Sequence, residues 1–181
     1  MRTAELLPHI VLVGLPGAGK STVGALVAER LGAGFLDFDR EIERRTGLSV
    51  ASIFQELGEA EFRRLETALT ASVAEAPAMI LAPGGGWIVE ASNRALLRHR
   101  ARIVHLAVSV PEALRRLGAA VAARPLLSCG SDPRSSLERL WEQRRSSYEA
   151  ADATLETELL GLDGVVTSVT ELAQRWGWPV R

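Results

Sequence analysis

The sequence predicts an α/β fold, a parallel sheet covered on both faces by helices. Three observations carry this. Strand-type and helix-type segments alternate along the chain. The first strand is a short β-branched run with the pattern of a buried strand. That strand leads straight into a glycine-rich loop and then a helix, and strand ends beside such loops are where ligands sit in these sheets.

The elements follow in order. Residues 9–15, HIVLVGL, form the first strand. In 20–32, KSTVGALVAERLG, residues Val23, Leu26, Val27, Arg30 and Leu31 recur at helical spacing, and Gly32 stops the helix. GFLDFD (34–39) reads as a second strand. Segments 40–46, 49–57 and 59–76 read as three helices separated by Gly47 and Gly58. AMILAP (78–83) is a third strand and runs into three glycines. A helix near 92–99 precedes the fourth strand, RIVHLAV (102–108), and Pro111 opens the next helix in its first turn. Residues 118–133, GAAVAARPLLSCGSDP, lose periodicity and read as a loop or lid. A long amphipathic helix covers about 134–150, ATLET (153–157) is a short fifth strand, and 167–176 is the final helix. With no internal repeat and no linker, 1–181 is expected to be a single domain.

Composition narrows the function. The chain is 47% hydrophobic and 24% charged, ordinary for a globular protein, and its net charge of −1 gives no field suited to nucleic acid or membrane. Of 21 basic residues only Lys20 is lysine, so any site needing a second lysine is excluded, including the Asn-Lys-x-Asp motif that reads guanine. The single cysteine, Cys129, forms no internal disulfide and fits a reducing cytosol. The run IVLV (10–13) is too short for a signal peptide, and no window approaches the roughly 18 apolar residues of a membrane span. A cytoplasmic protein is expected.

Gly14-x4-Gly19-Lys20-Ser21 is a Walker A motif in its proper context, between strand and helix. Gly17 and Gly19 let the backbone curl so that several N–H groups face one anion. The helix starting near Lys20 adds its positive end. Lys20 can reach the β- and γ-phosphates, and the Ser21 hydroxyl is placed to ligate Mg²⁺. The loop therefore holds a nucleoside triphosphate with Mg²⁺.

The acceptor must be sought elsewhere. Asp37 and Asp39, two apart, are expected on one face of the second strand, one for Mg²⁺ and one to bind and activate a hydroxyl. Alone, such a pair is equally a solvated turn. FRRLE, with Phe62, Arg63, Arg64 and Glu66, reads on its own as surface charge, and so do Arg144 and Arg145 of QRRSSY. Gly84, Gly85 and Gly86 either admit a ligand close to the backbone or form a hinge. Arg124 of RPLL could swing onto phosphates from the lid.

Taken together, GLPGAGKST, DFDREIERRTGLSVASIFQELGEAEFRRLE, PGGGWIVEASNRALL, RPLL and RRSSYEAAD closely resemble the shikimate kinases, from about residue 9 to 152. The resemblance implies a P-loop fold like that of nucleoside monophosphate kinases, three-layered, with a five-stranded parallel sheet and a closing lid. It implies transfer of the γ-phosphoryl of ATP to the 3-hydroxyl of shikimate, toward chorismate and the aromatic amino acids. By position it implies ATP contacts from Gly17, Ala18, Gly19, Lys20, Ser21, Thr22 and Arg124. Shikimate would be held by Asp39, Arg63, Gly85 and Arg144, and Mg²⁺ by Ser21 and Asp37. Lys20, Asp39 and Arg124 would be the catalytic set. The partners implied are the two small substrates alone, and the protein is expected to be a monomer. The match weakens on the adenine side, where Arg115, Arg116 and Leu117 crowd the place of the family's base-stacking arginine. The rival readings are another small-molecule kinase of this fold, such as a gluconate kinase, and a catalytically silent nucleotide-binding relative.

Overall fold

The computed structural model describes residues 7–121, 124–128 and 132–179. Five strands form one sheet: His9–Val13 (β1), Gly34–Asp37 (β2), Met79–Ala82 (β3), Ala101–Ala107 (β4) and Ala153–Glu156 (β5). Their order is β2-β3-β1-β4-β5, and every neighbouring pair is parallel. The helices are Lys20–Leu31 (α1), Phe38–Thr46 (α2), Val50–Ser52 (α3, continued by a π-helical turn at Ile53–Leu57), Gly58–Ala74 (α4), Ala91–Leu97 (α5), Val110–Leu117 (α6), the single turn Pro125–Ser128 (α7), Pro133–Glu149 (α8) and Thr157–Arg175 (α9). The α/β class and the five parallel strands are as the sequence predicts. Among the described residues no helix is long and apolar enough to cross a membrane.

Register assigns the layers. Residues paired in a parallel sheet point the same way, and alternate residues point oppositely. Phe35 pairs with Ile80, and Ile80 with Ile10, so all three share a face. α1 lies on that face: a Cβ on its Gly24 would come within 2.5 Å of the Phe35 ring. A glycine inside a helix costs about 1 kcal/mol, and here it lets α1 settle onto β2. α9 packs beside α1. The opposite face carries His9 and, through the Val13–His105 pairing, His105. His105 stacks on Tyr148 of α8, and His9 meets α4 at the Val73 backbone. β1 is buried along its whole length between these layers.

The strand order positions the site. β2, β3 and β1 are neighbours, so their C-terminal ends stand side by side. Asp37, the Gly84–Gly86 turn and the Walker loop sit on those three ends.

Three boundaries differ from expectation. β2 stops at Asp37, not 39, so the two aspartates do not share a strand face. Asp37 leaves the strand as the N-cap of α2, its carboxylate accepting the Arg40 N–H at 3.2 Å, and Asp39 lies in the first helical turn. α9 starts at Thr157, ten residues before the expected 167, with a break at Gly161 (φ 64, ψ 177). Its first turns expose Leu159, Leu160 and Leu162, which hides the amphipathic period. Within the expected lid, Gly118–Val121 forms a 3₁₀ turn and α7 one α-turn, while residues 122–123 and 129–131, Cys129 among them, lie outside the described residues.

Candidate active site

The Walker loop is shaped by glycines that no other residue replaces cheaply. Gly17 has φ 87, and a Cβ there would lie 2.6 Å from the Ala113 carbonyl of α6. Gly19 has φ 90 and caps α1 without a side-chain acceptor, so the first N–H groups of the helix are left for a ligand. Lys20 arches over the loop and donates from Nζ to Gly14 O (3.0 Å) and Leu15 O (3.2 Å). Desolvation, reinforced by Arg124, lowers its pKa to about 8, while Asp39 opposes the shift.

Two cavities open at the strand ends. One, of about 350 Å³, is lined by Gly17, Gly19, Lys20, Ser21, Thr22, Asp37, Asp39, Arg116 and Arg124. The other, of about 230 Å³, is lined by Asp39, Glu43, Val50, Phe54, Phe62, Arg63, Arg124, Leu126 and Arg144. Asp39, Gly84, Gly85 and Arg124 border both. The candidate residues read from the sequence thus line these two adjoining cavities, except Ala18, which is buried. Asp39 stands at the junction. Burial raises its pKa, with Asp37 adding to the effect and Lys20 and Arg124 opposing it. Its buried Oδ1 has no hydrogen-bond partner among the described residues.

The glycine turn is a floor rather than a hinge. A Cβ on Gly84 would fall 2.7 Å from Glu66 Oε1, one on Gly85 2.7 Å from an Arg144 guanidinium nitrogen, and one on Gly86 2.5 Å from that of Arg63. Each glycine therefore seats one charged side chain directly on the backbone. The turn is anchored by Trp87, which is wholly buried and donates its indole N–H to Thr70 of α4 at 2.9 Å. Such an anchor contributes about 3–5 kcal/mol.

Two of the three arginines of the second cavity, Arg63 and Arg144, are held differently. Arg63 donates to Glu66 (2.7 Å) and to Glu59 (2.8 Å), one on each side along α4. Arg144 is buried yet forms no ion pair among the described residues. Arg145, its neighbour, points outward and pairs with Glu149. Arg64 likewise pairs with Glu61 at the surface. Three guanidinium groups line the cavity, Arg63, Arg124 and Arg144, and Arg144 among them has no ion-pair partner among the described residues, so the Arg144 end favours an anion.

Glu66 is the residue a reading of the motif as surface charge misplaces. It is fully buried, and desolvation raises its pKa to about 7 against the pull of Arg63. The signal was in the spacing: Phe62, Glu66, Leu69, Thr70 and Val73 form the buried stripe of α4, so a carboxylate falls in an apolar register. Phe54, Phe62 and Val50 form the apolar wall, with the two phenyl rings 4.9 Å apart. Beside the Walker loop, Leu117 turns inward, while Arg116 faces the first cavity, tied to Glu112 (2.8 Å) and Thr157 (2.9 Å). Among the described residues there is no cluster of three or more histidine, cysteine or acidic residues able to hold a metal. Ser21, Asp37 and Asp39 do supply hard oxygen donors to the first cavity, the donor set that suits Mg²⁺.

Comparison with known proteins points to one family. The family model for shikimate kinase matches residues 16–173. The shikimate kinase of Chromohalobacter salexigens is 42% identical over 175 residues, covering 96% of this chain and 96% of the relative. The structure of the Acinetobacter baumannii shikimate kinase in complex with shikimate superimposes with a TM-score of 0.88 at 39% identity, over 97% of both chains. A gluconokinase from Sinorhizobium meliloti, at 18% identity and a TM-score of 0.56 over 94% of this chain and 96% of that one, shares the fold alone. The chain belongs to the shikimate kinase family.

Proposed function

We propose that this shikimate kinase transfers the γ-phosphoryl group of ATP to the 3-hydroxyl of shikimate and that the two adjoining cavities divide the task. The observation that carries this is the junction: Asp39 and Arg124 border both cavities. A group held at one end of the acceptor cavity then places its hydroxyl beside the terminal phosphate.

Each residue has a part. The forks of Arg63 and Arg144 clasp the carboxylate of the acceptor, a task for planar guanidinium groups rather than an ammonium. The Gly85 backbone lies directly beneath. The Phe54 and Phe62 wall suits a six-membered carbon ring. Asp39 receives or orients the acceptor hydroxyl, and its raised pKa makes it a better proton acceptor than an ordinary aspartate. Gly17, Ala18, Gly19 and Thr22 supply the phosphate cradle and Lys20 its charge; a bound anion restores the proton affinity that desolvation removes from that lysine. Ser21 and Asp37 are the residues to hold Mg²⁺, which when bound offsets charge on the β- and γ-phosphate oxygens. Arg124, which borders both cavities, stabilises the same charge. The reading includes a monomeric, single-domain, cytoplasmic enzyme, supported by the one continuous core and the single cysteine.

A coupled ADP-release assay with shikimate, gluconate and nucleoside monophosphates tests the proposal. Turnover with shikimate alone is expected. Preference for gluconate favours the sister kinase, and no turnover with any acceptor favours a nucleotide-binding relative.

A further inference from the structure

Arg63 has two carboxylates to hold it, and Arg144 has none among the described residues. A long side chain in a cavity loses rotamer freedom worth about 2 kcal/mol when fixed, so something else must fix Arg144. The neighbour one turn along α8 is Tyr148. Its side chain is fully buried, its hydroxyl donates to the Gly85 carbonyl at 3.4 Å, and the Arg144 guanidinium rests on that same glycine, close enough to act on the phenol. The phenol and the guanidinium therefore meet over one glycine.

The ring itself is locked. It stacks on His105 with centroids 4.5 Å apart and planes 2° from parallel, and Trp141 lies 6.0 Å away at 25°. His105 sits on β4 opposite Val13, the last residue of the strand that enters the Walker loop. Burial keeps this imidazole neutral, so it presents an uncharged face to the phenol. A rigid strand thus sets the ring, and the ring sets the hydroxyl beside Arg144.

We propose that Tyr148 is a positioning residue for the acceptor, acting through Arg144, with His105 as its backstop. The inference rests on the reading that Arg144 grips the acceptor's carboxylate.

The test is a double-mutant cycle on the full chain, following KM for shikimate, KM for ATP, kcat and Tm. Tyr148→Phe keeps the stacked ring and deletes only the hydroxyl. It is expected to raise the KM for shikimate roughly three- to ten-fold, as for loss of one ordinary hydrogen bond, with the KM for ATP and kcat within about twofold. In an Arg144→Ala background the same substitution is expected to have no further effect, because its target is gone. His105→Ala, which removes the backstop, gives a second approach and is expected to raise the KM for shikimate as well. An equal penalty from Tyr148→Phe with and without Arg144 overturns the inference, and so does a lower Tm with unchanged KM. If Arg144→Ala itself leaves the KM for shikimate unchanged, the underlying assignment of Arg144 has failed. If Arg144→Ala raises it and Tyr148→Phe does not, only the positioning role has failed.

Discussion

Arg63 and Glu66, one turn apart on α4, meet at 2.7 Å, and the carboxylate of that pair is wholly buried beside the glycine floor. The pair fixes one of the three guanidinium groups that line the cavity beside the glycine floor while burying a charge that desolvation disfavours.

That burial makes stability depend on pH. The folded-state pKa of Glu66, about 7, lies above the ordinary 4.5. The folded protein therefore binds this proton more tightly than the unfolded chain, and ionised Glu66 costs stability above about pH 7. The cost is relieved as pH falls from 7 toward 4.5. Glu66→Gln removes the dependence. Relative to wild type, the variant should lose on the order of 1–3 kcal/mol on going from pH 8 to pH 5. Denaturation at the two pH values measures it, and a pH-independent difference contradicts the account.

Asp39→Asn should lower kcat by roughly 10²–10⁴ if, as proposed, this carboxylate orients or deprotonates the acceptor. Its Tm should not fall, since the buried carboxylate it replaces is itself held at a raised pKa. The same shift places the acid limb of the wild-type rate profile above the pH range of an ordinary aspartate. Steady-state kinetics across pH checks both, and near-normal turnover rejects the role.

Arg144→Lys should raise the KM for shikimate about ten-fold or more while sparing ATP, because an ammonium cannot fork onto a carboxylate. A defect confined to ATP would place Arg144 in the wrong half of the site.

Much of this was legible beforehand, for a local reason. The Walker loop, the strands and the glycine turn are written in contiguous residues whose backbone demands are their own. Asp39 was misplaced because strand period and helix capping compete at Asp37, and the cap wins. Glu66 was readable as a carboxylate in an apolar stripe, but only once the face of α4 was known. Tyr148 and His105 meet because β4 and α8 share a face, and no local pattern announces a contact between distant segments.

The glycine floor offers an independent check. Gly86 has φ −90, which any residue adopts, so Gly86→Ala carries no backbone strain. Its Cβ would meet the Arg63 guanidinium at 2.5 Å and displace it. The KM for shikimate should rise by about an order of magnitude with the fold retained, as seen by circular dichroism and Tm. An unchanged KM would separate Arg63 from acceptor binding.

The most direct measurement is a crystal structure of the chain with ADP and shikimate bound. The account predicts the shikimate carboxylate between Arg63 and Arg144, with the 3-hydroxyl within hydrogen-bond reach of Asp39. A carboxylate bound elsewhere, with those arginines turned to solvent, would contradict it.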